Sequence, residues 1–546
     1  MLMRRTIYTI SFLLFLIGCS KNPDKRAPLF KDLGTFNYPI TTNSELAQKY
    51  FNQGVVFSYG FNHQEAFRSF QEVARLDTNA AMAYWGMALV LGPNINLPMD
   101  NSTVKTAYDA IQKAISLIDN ESQKEKDWIM ALLKRYAKEP PKDRSPLDSA
   151  YADAMRKLSA KYPDDIDIKT MFAESLMDQH PWDFWLKDGT PKPWTPEIIS
   201  TLESTLQQKP DHIGANHLYI HATEASQNPQ RALVCADRLK NLVPGAGHLV
   251  HMPAHIYIRT GRYHEGSLAN ERAVKSDEEY LAQCHQEGFY PLGYYPHNYH
   301  FLWATATMEG DSKTAINAAL KVSSKPPDSL LEVCDFMTLQ HFVVIPLYAY
   351  VTFGKWDEIL KYPEPPKTRP YVNGIWHYAR GMAFMAKNNF TEAEKELAML
   401  DILKKNENVE KFIIAGINSA GTLLKIGYEV LAGEIEAKKN NNSLALKHLN
   451  KAVEIENTLR YDEPPTWFSP AKLNLGAVLI QAGKYTETEK IYLQHLKEYP
   501  ENGWALYGLY QALVKEKKNT EAADIQKRFT QAWKYADVQL TSSRIL

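Results

Sequence analysis

The feature that most constrains this chain is a recurring pair of apolar segments marked by small residues at fixed offsets. In QGVVFSYGFNHQEAFRSFQEV, Gly54 is followed 12 residues on by Ala66 and 4 further by Phe70, and GMAFMAKNNFTEAEKEL repeats the offsets with Gly381, Ala393 and Leu397. LNLGAVLIQAGKYTETEKIYLQHLKEYPEN carries Leu475-Gly476, Gly483, Tyr485, Tyr492 and Pro500, and a further copy starts at Trp504. A weaker one begins at Tyr84-Trp85-Gly86. Each unit reads as two helices whose small residues let the backbones approach. No unit buries its apolar face without a neighbour, so the units must stack. Few segments alternate with the strand period, which makes the chain almost wholly helical.

These offsets resemble the tetratricopeptide (TPR) repeat. The resemblance implies an all-α fold, an α-solenoid of roughly eight to ten TPR-like helix pairs between about residues 45 and 535, with a concave groove that binds ligands. Three segments interrupt the pattern: the proline-rich 138–147, the tryptophan-rich 180–197 and the aromatic-rich 279–299. The organisation expected is N-terminal TPR-like repeats over 45–137 and a helical segment with a Pro/Trp-rich loop over 138–200. His-rich repeats follow over 201–362, then C-terminal repeats over 363–546. Ordered loops on a repeat scaffold often carry function.

The N-terminus reads as a targeting segment. Arg4 and Arg5 precede a short apolar run that ends in Leu16-Ile17-Gly18-Cys19, too short for a permanent transmembrane helix. It resembles the lipobox of bacterial lipoproteins, which implies a signal peptide over 1–18, a lipid on Cys19 and a place on the cell envelope, facing the periplasm or the surface. Residues 19–44 read as a tether between lipid and body. Cys235, Cys284 and Cys334 are the other thiols; their spacing is no disulfide framework, although one bridge is possible. The formal net charge of −1 over 546 residues argues against a nucleic-acid partner, which usually demands a basic excess.

Histidine placement supplies the functional signal. Taking Ala232, Gly266, Ala315 and, less well, Ile359 as the positions of second helices where the repeat keeps a small side chain, counting 15 back gives His217, His251 and His300 in the first three. Counting 11 back gives His221 and His255, and 18 back gives His248, His297 and His341. Rows three and four residues apart share one helix face, repeated from unit to unit. On the TPR resemblance that face lines the concave groove.

Neutral imidazole is a ligand for zinc, copper and iron, and three imidazoles with water or a carboxylate make an ordinary transition-metal shell. Glu224, three residues beyond His221, is the best-placed carboxylate: a ligand, a group that orients a ligand, or a general base. Glu174 and His180 could reach the groove from the preceding helix and loop, and Tyr219, Tyr257 and Tyr299 (with Tyr294 and Tyr295) are the phenols nearby. The pairs His217/His221 and His251/His255 lie 34 residues apart but lack the glutamate of a zinc-protease HExxH helix, and Pro253 should start or bend the second helix. Cys284-His285 is a further possible ligand pair. The leading reading is a metal-binding solenoid that holds or transforms a small ligand. Two others stand beside it: an adaptor that captures a peptide or protein in the groove, and a glycan-binding lipoprotein of the SusD-like kind using Trp182, Trp185 and Trp194.

Overall fold

The computed structural model describes residues 26–284 and 289–546. The signal segment, Cys19 and His285 lie outside the described residues. The protein is an all-α, TPR-like α-solenoid: antiparallel helices follow one another from Glu45–Tyr59 and His63–Leu76 to Gly503–Lys515 and Asn519–Ala532. Among the described residues the only sheet is a two-stranded ribbon, Ile413–Ile414 with Asn418–Ser419. No described helix is long and apolar enough to cross a membrane.

The small positions of the repeat act by admitting an aromatic ring. A Cβ on Gly54 would stand 2.6 Å from the Phe70 ring, and one on Gly86 would stand 2.5 Å from it. Phe70 therefore packs between two first helices, and it is wholly buried. Tyr492 fills the same place between Gly476 and Gly508. Gly266 lets Thr305 of the next unit approach, its Cγ2 2.8 Å from where a Cβ would stand.

Two expectations need correction. The tether assigned to 19–44 is shorter, because Ala27, Tyr38 and Ile40 are buried in the body. Gln53 Oε1 accepts a hydrogen bond from the Phe30 amide at 2.9 Å, and Glu125 accepts two from Thr41 at 2.6 Å. The apolar side chains of this stretch recover more by burial than a free linker would gain in entropy. The insertion at 279–299 is largely helical, since Tyr263–Cys284 runs into it and Phe289–Leu292 and Tyr294–Glu309 continue beyond the undescribed residues.

The superhelix closes on itself. Trp504 Nε1 donates to Thr307 O at 2.9 Å and the Tyr263 hydroxyl to Pro500 O at 2.7 Å, across about 200 residues of sequence. The final segment continues this contact: Asp537 N donates to Gly310 O, and Arg544 pairs with the buried Glu434 at 2.6 Å. This winding brings the connection 457–470 over the His-rich repeats.

Candidate metal centre

The helix Ile213–Glu224 is buried on every side, so each polar group on it must find an internal partner. Its N-cap is His212, whose Nδ1 accepts from Ala215 N. The next first helix is interrupted: Pro253 supplies no N–H, and the chain runs as Gly247–His251 then Pro253–Arg259 with Met252 between. The bend expected at Pro253 is thus a break between two short helices. Tyr294–Glu309 completes the set.

These helices bring six imidazoles together in two groups of three, His217, His221 and His248, and His251, His255 and His297, with one potential ligand atom of each within 4.8 Å of the others. In the first group ring centroids are 4.8 Å (His217–His221), 5.0 Å (His217–His248) and 6.3 Å (His221–His248) apart. In the second they are 4.8 Å (His251–His255), 4.9 Å (His251–His297) and 5.8 Å (His255–His297). Five of the rings are at most 2% exposed, and His297 alone is partly exposed. The histidines therefore line a closed interior and not the open groove expected. Burial pushes the pKa of His217, His248, His251 and His297 well below the usual imidazole range, reinforced by neighbouring rings, and also lowers that of His221.

Hydrogen bonds fix the orientation of four rings. His217 Nδ1 is 2.5 Å from Tyr59 O, His221 Nδ1 is 2.7 Å from Glu224 Oε1 and His255 Nδ1 is 2.6 Å from Glu224 Oε2. His251 Nδ1 is 2.6 Å from Asn270 Oδ1, and Asn270 Nδ2 donates to Gly266 O, which sets that oxygen as an acceptor. Every one of these partners accepts, so each Nδ1 carries the hydrogen, and the neutral rings of His217, His221 and His251 offer a lone pair at Nε2. His217 Nε2, His221 Nε2 and both nitrogens of His248 have no hydrogen-bond partner and are buried. His251 Nε2 and His255 Nε2 face each other at 2.9 Å. Two lone pairs at that distance repel unless a cation, a proton or a metal ion, lies between them.

Glu224 is wholly buried, and its two oxygens accept from His221, His255 and, at 3.2 Å, the Tyr461 hydroxyl. Burial alone would raise its pKa, but the His255 ring beside it and the hydrogen bonds from both imidazoles outweigh this and hold the carboxyl well below the usual range. With both oxygens so engaged, Glu224 orients imidazoles and is not placed to take a proton from a substrate, which corrects the general-base expectation. Its 2.6–2.7 Å contacts are hydrogen bonds, because two ligands about 2.1 Å from a tetrahedral ion stand ~3.4 Å apart.

Other residues singled out from the sequence lie elsewhere. His300 stacks on Trp303 and faces His341 at 5.7 Å, outside both groups; His341 is itself pushed down to about 4 by burial and lies 2.8 Å from the Tyr371 hydroxyl. Tyr219 donates to Glu203, Tyr257 to Asp237 and Tyr299 to Glu278. Each is two residues from a histidine of the groups, about 200° round its helix, so it points away. Glu174 neighbours Arg135 and Asp178, burial raising its pKa to about 7. His180 stacks on Trp194 at 3.6 Å. The thiols of Cys235, Cys284 and Cys334 are free.

Sequence reasoning missed the enclosing shell. Phe61, 4.5 Å from His217 between ring centroids, and Trp182, 5.1 Å from His221, hold left-handed backbones with φ of 54° and 58°. That conformation is costly for bulky side chains and clusters at functional sites. Phe301 packs against His251 and His255, and Tyr294 against His248. The tryptophan loop is tied down: Trp185 Nε1 donates to Ala222 O, Trp194 Nε1 to Asp183 O, and Lys187 Nζ to the carbonyls of Asn457 and Leu459. It forms part of the roof, not a free platform for a sugar.

No family model and no curated protein matches this chain. Among solved structures, the human IFIT1 dimer with m7Gppp-AAAA is 12% identical over 90% of this chain and 91% of its own, with a TM-score of 0.30. The APC/C hetero-tetramer Cut9–Hcn1 is 11% identical over 91% and 76%, with a TM-score of 0.30. Yeast Tom70 is 11% identical over 90% and 93%, at 0.28. Likeness at that level bears on neither ligand nor activity. What the helical repeat scaffold does has to be argued from the site.

Proposed function

We propose that this protein binds a first-row transition metal, zinc, copper or iron, through its buried imidazoles and uses it to hold or transform a small ligand. The observation that carries this reading is the outward pinning of four Nδ1–H groups, on Tyr59 O, Asn270 Oδ1 and the two oxygens of Glu224. Imidazoles that ligate metals almost always give their other N–H to a carboxylate or carbonyl, which fixes the ring and raises its basicity. A structural packing role would instead leave His217 Nε2, His221 Nε2 and both nitrogens of His248 buried without a hydrogen-bond partner, at a standing cost. His251, His255 and His297 form the better-defined set, since a cation is needed between the first two and His297 gives a route to solvent.

The sequence Leu16-Ile17-Gly18-Cys19 supports a lipid-anchored, exported protein of the bacterial cell envelope. The test is elemental analysis of the chain starting after Cys19, purified without a histidine tag, beside a His217→Ala/His251→Ala double variant. Near-stoichiometric metal that disappears in the variant is the expected result. A folded, metal-free protein that takes up no zinc, copper or iron on incubation overturns the reading and leaves capture of a peptide or protein as the role of the scaffold.

A further inference from the structure

We propose that the six imidazoles hold two ions side by side, one within His217, His221 and His248 and the other within His251, His255 and His297, with Glu224 orienting a ligand of each; this rests on the metal-binding reading above. The two groups share no ring, yet they abut, His221 lying 5.3 Å from His255 and His248 lying 5.8 Å from His251 between centroids. Each oxygen of Glu224 serves one group, Oε1 taking the His221 Nδ1–H and Oε2 that of His255. One carboxylate thereby fixes the tautomer of a ring in both groups.

A single ion cannot use all the donors. Ligation distances of 2.0–2.2 Å span one group of three, while an ion in the second group alone would leave His217 Nε2, His221 Nε2 and both nitrogens of His248 buried and unpartnered. In the second group the 2.9 Å between His251 Nε2 and His255 Nε2 needs to open by only ~0.5 Å to suit a tetrahedral ion. Three protein donors per ion leave a fourth position for water or a small ligand, the arrangement of catalytic rather than structural sites.

The test is titration of the chelator-treated mature chain with zinc, then with cobalt(II). The expected result is two equivalents of tightly bound zinc per chain, falling to one in His217→Ala and to one in His297→Ala. Cobalt(II) in the unaltered protein should give a paramagnetic signal that grows with the first equivalent and is broadened by through-space dipolar coupling with the second. This arm needs no variant, so misfolding cannot mask the outcome. One equivalent in the unaltered chain, or a cobalt signal that grows without coupling through two, overturns the two-ion proposal while leaving metal binding intact. No uptake at all overturns the metal reading itself.

Discussion

Replacing Glu224 by glutamine tests the hydrogen-bond logic of the site without changing its shape. The carboxylate accepts His221 Nδ1–H on one oxygen at 2.7 Å and His255 Nδ1–H on the other at 2.6 Å. An amide of the same volume has one accepting oxygen and one donating nitrogen. In Glu224→Gln, one of the two rings must therefore face an N–H with its Nδ1. That ring can relieve the clash only by moving its hydrogen to Nε2, which removes its lone pair from the metal group. Loss of such an orienting partner typically weakens metal affinity 10–100-fold, about 1.4–2.7 kcal/mol. Competition of the variant with a chromophoric chelator for zinc, judged against the unaltered chain at one ionic strength, reads this directly. The fold should survive, since no volume is lost and a buried charge is removed. Zinc affinity within threefold of the unaltered protein would refute the claim that Glu224 sets the tautomers.

Other perturbations follow from the same structure. Tyr461→Phe removes one hydrogen bond to Glu224 and should weaken zinc binding by less than tenfold, about 1 kcal/mol; a larger loss on the same titration would make Tyr461 a ligand. Burial pushes the pKa of His63, His341 and His495 down to about 4, so each binds fewer protons folded than unfolded. Their contribution is full above pH ~6.5 and is lost as pH falls toward 4, at up to about 1.4 kcal/mol per pH unit each. Urea unfolding of the metal-free chain should accordingly lose less stability between pH 7.5 and pH 5.0 in His495→Gln than in the unaltered protein, and an equal change in both would contradict neutral burial of that ring. Gly86→Ala places a methyl 2.5 Å from the Phe70 ring and should cost about 1–3 kcal/mol in the same assay; no change would mean that ring is free to move. Cys19→Ser should release the protein from membranes and abolish labelling by radioactive palmitate, whereas an unchanged distribution would reject the lipid anchor.

The histidine lattice was legible because repeats translate a sequence period into a spatial one. Two pairs 34 residues apart land on neighbouring first helices, and the structure brings His217 and His221 beside His251 and His255. His300 fits the same arithmetic but not the same site. It lies three residues beyond His297, far enough round Tyr294–Glu309 to face the following helix and His341. The tyrosines at 219, 257 and 299 could have been set aside from the helical wheel alone, being two residues from their histidines. The docking of residues 27–40 gives no local signal, because Ala27, Phe30, Tyr38 and Ile40 are spaced too irregularly to mark an element, although Ala27, Tyr38 and Ile40 are buried and Phe30 half-buried. What no local pattern could give is the shell built by winding. Tyr461 meets Glu224 across 237 residues and Tyr59 meets His217 across 158. Asn270 looks like any polar residue of a second helix until its partner His251 is placed beside it.

The most direct test of the account is a diffraction experiment on crystals of the chain starting after Cys19, grown with zinc, with data collected on either side of the zinc absorption edge. The account predicts an anomalous peak about 2.0–2.2 Å from Nε2 of both His251 and His255, with Glu224 still hydrogen-bonded to Nδ1 of His255. Well-ordered imidazoles in the arrangement described, with no anomalous density within reach of either group, would contradict it.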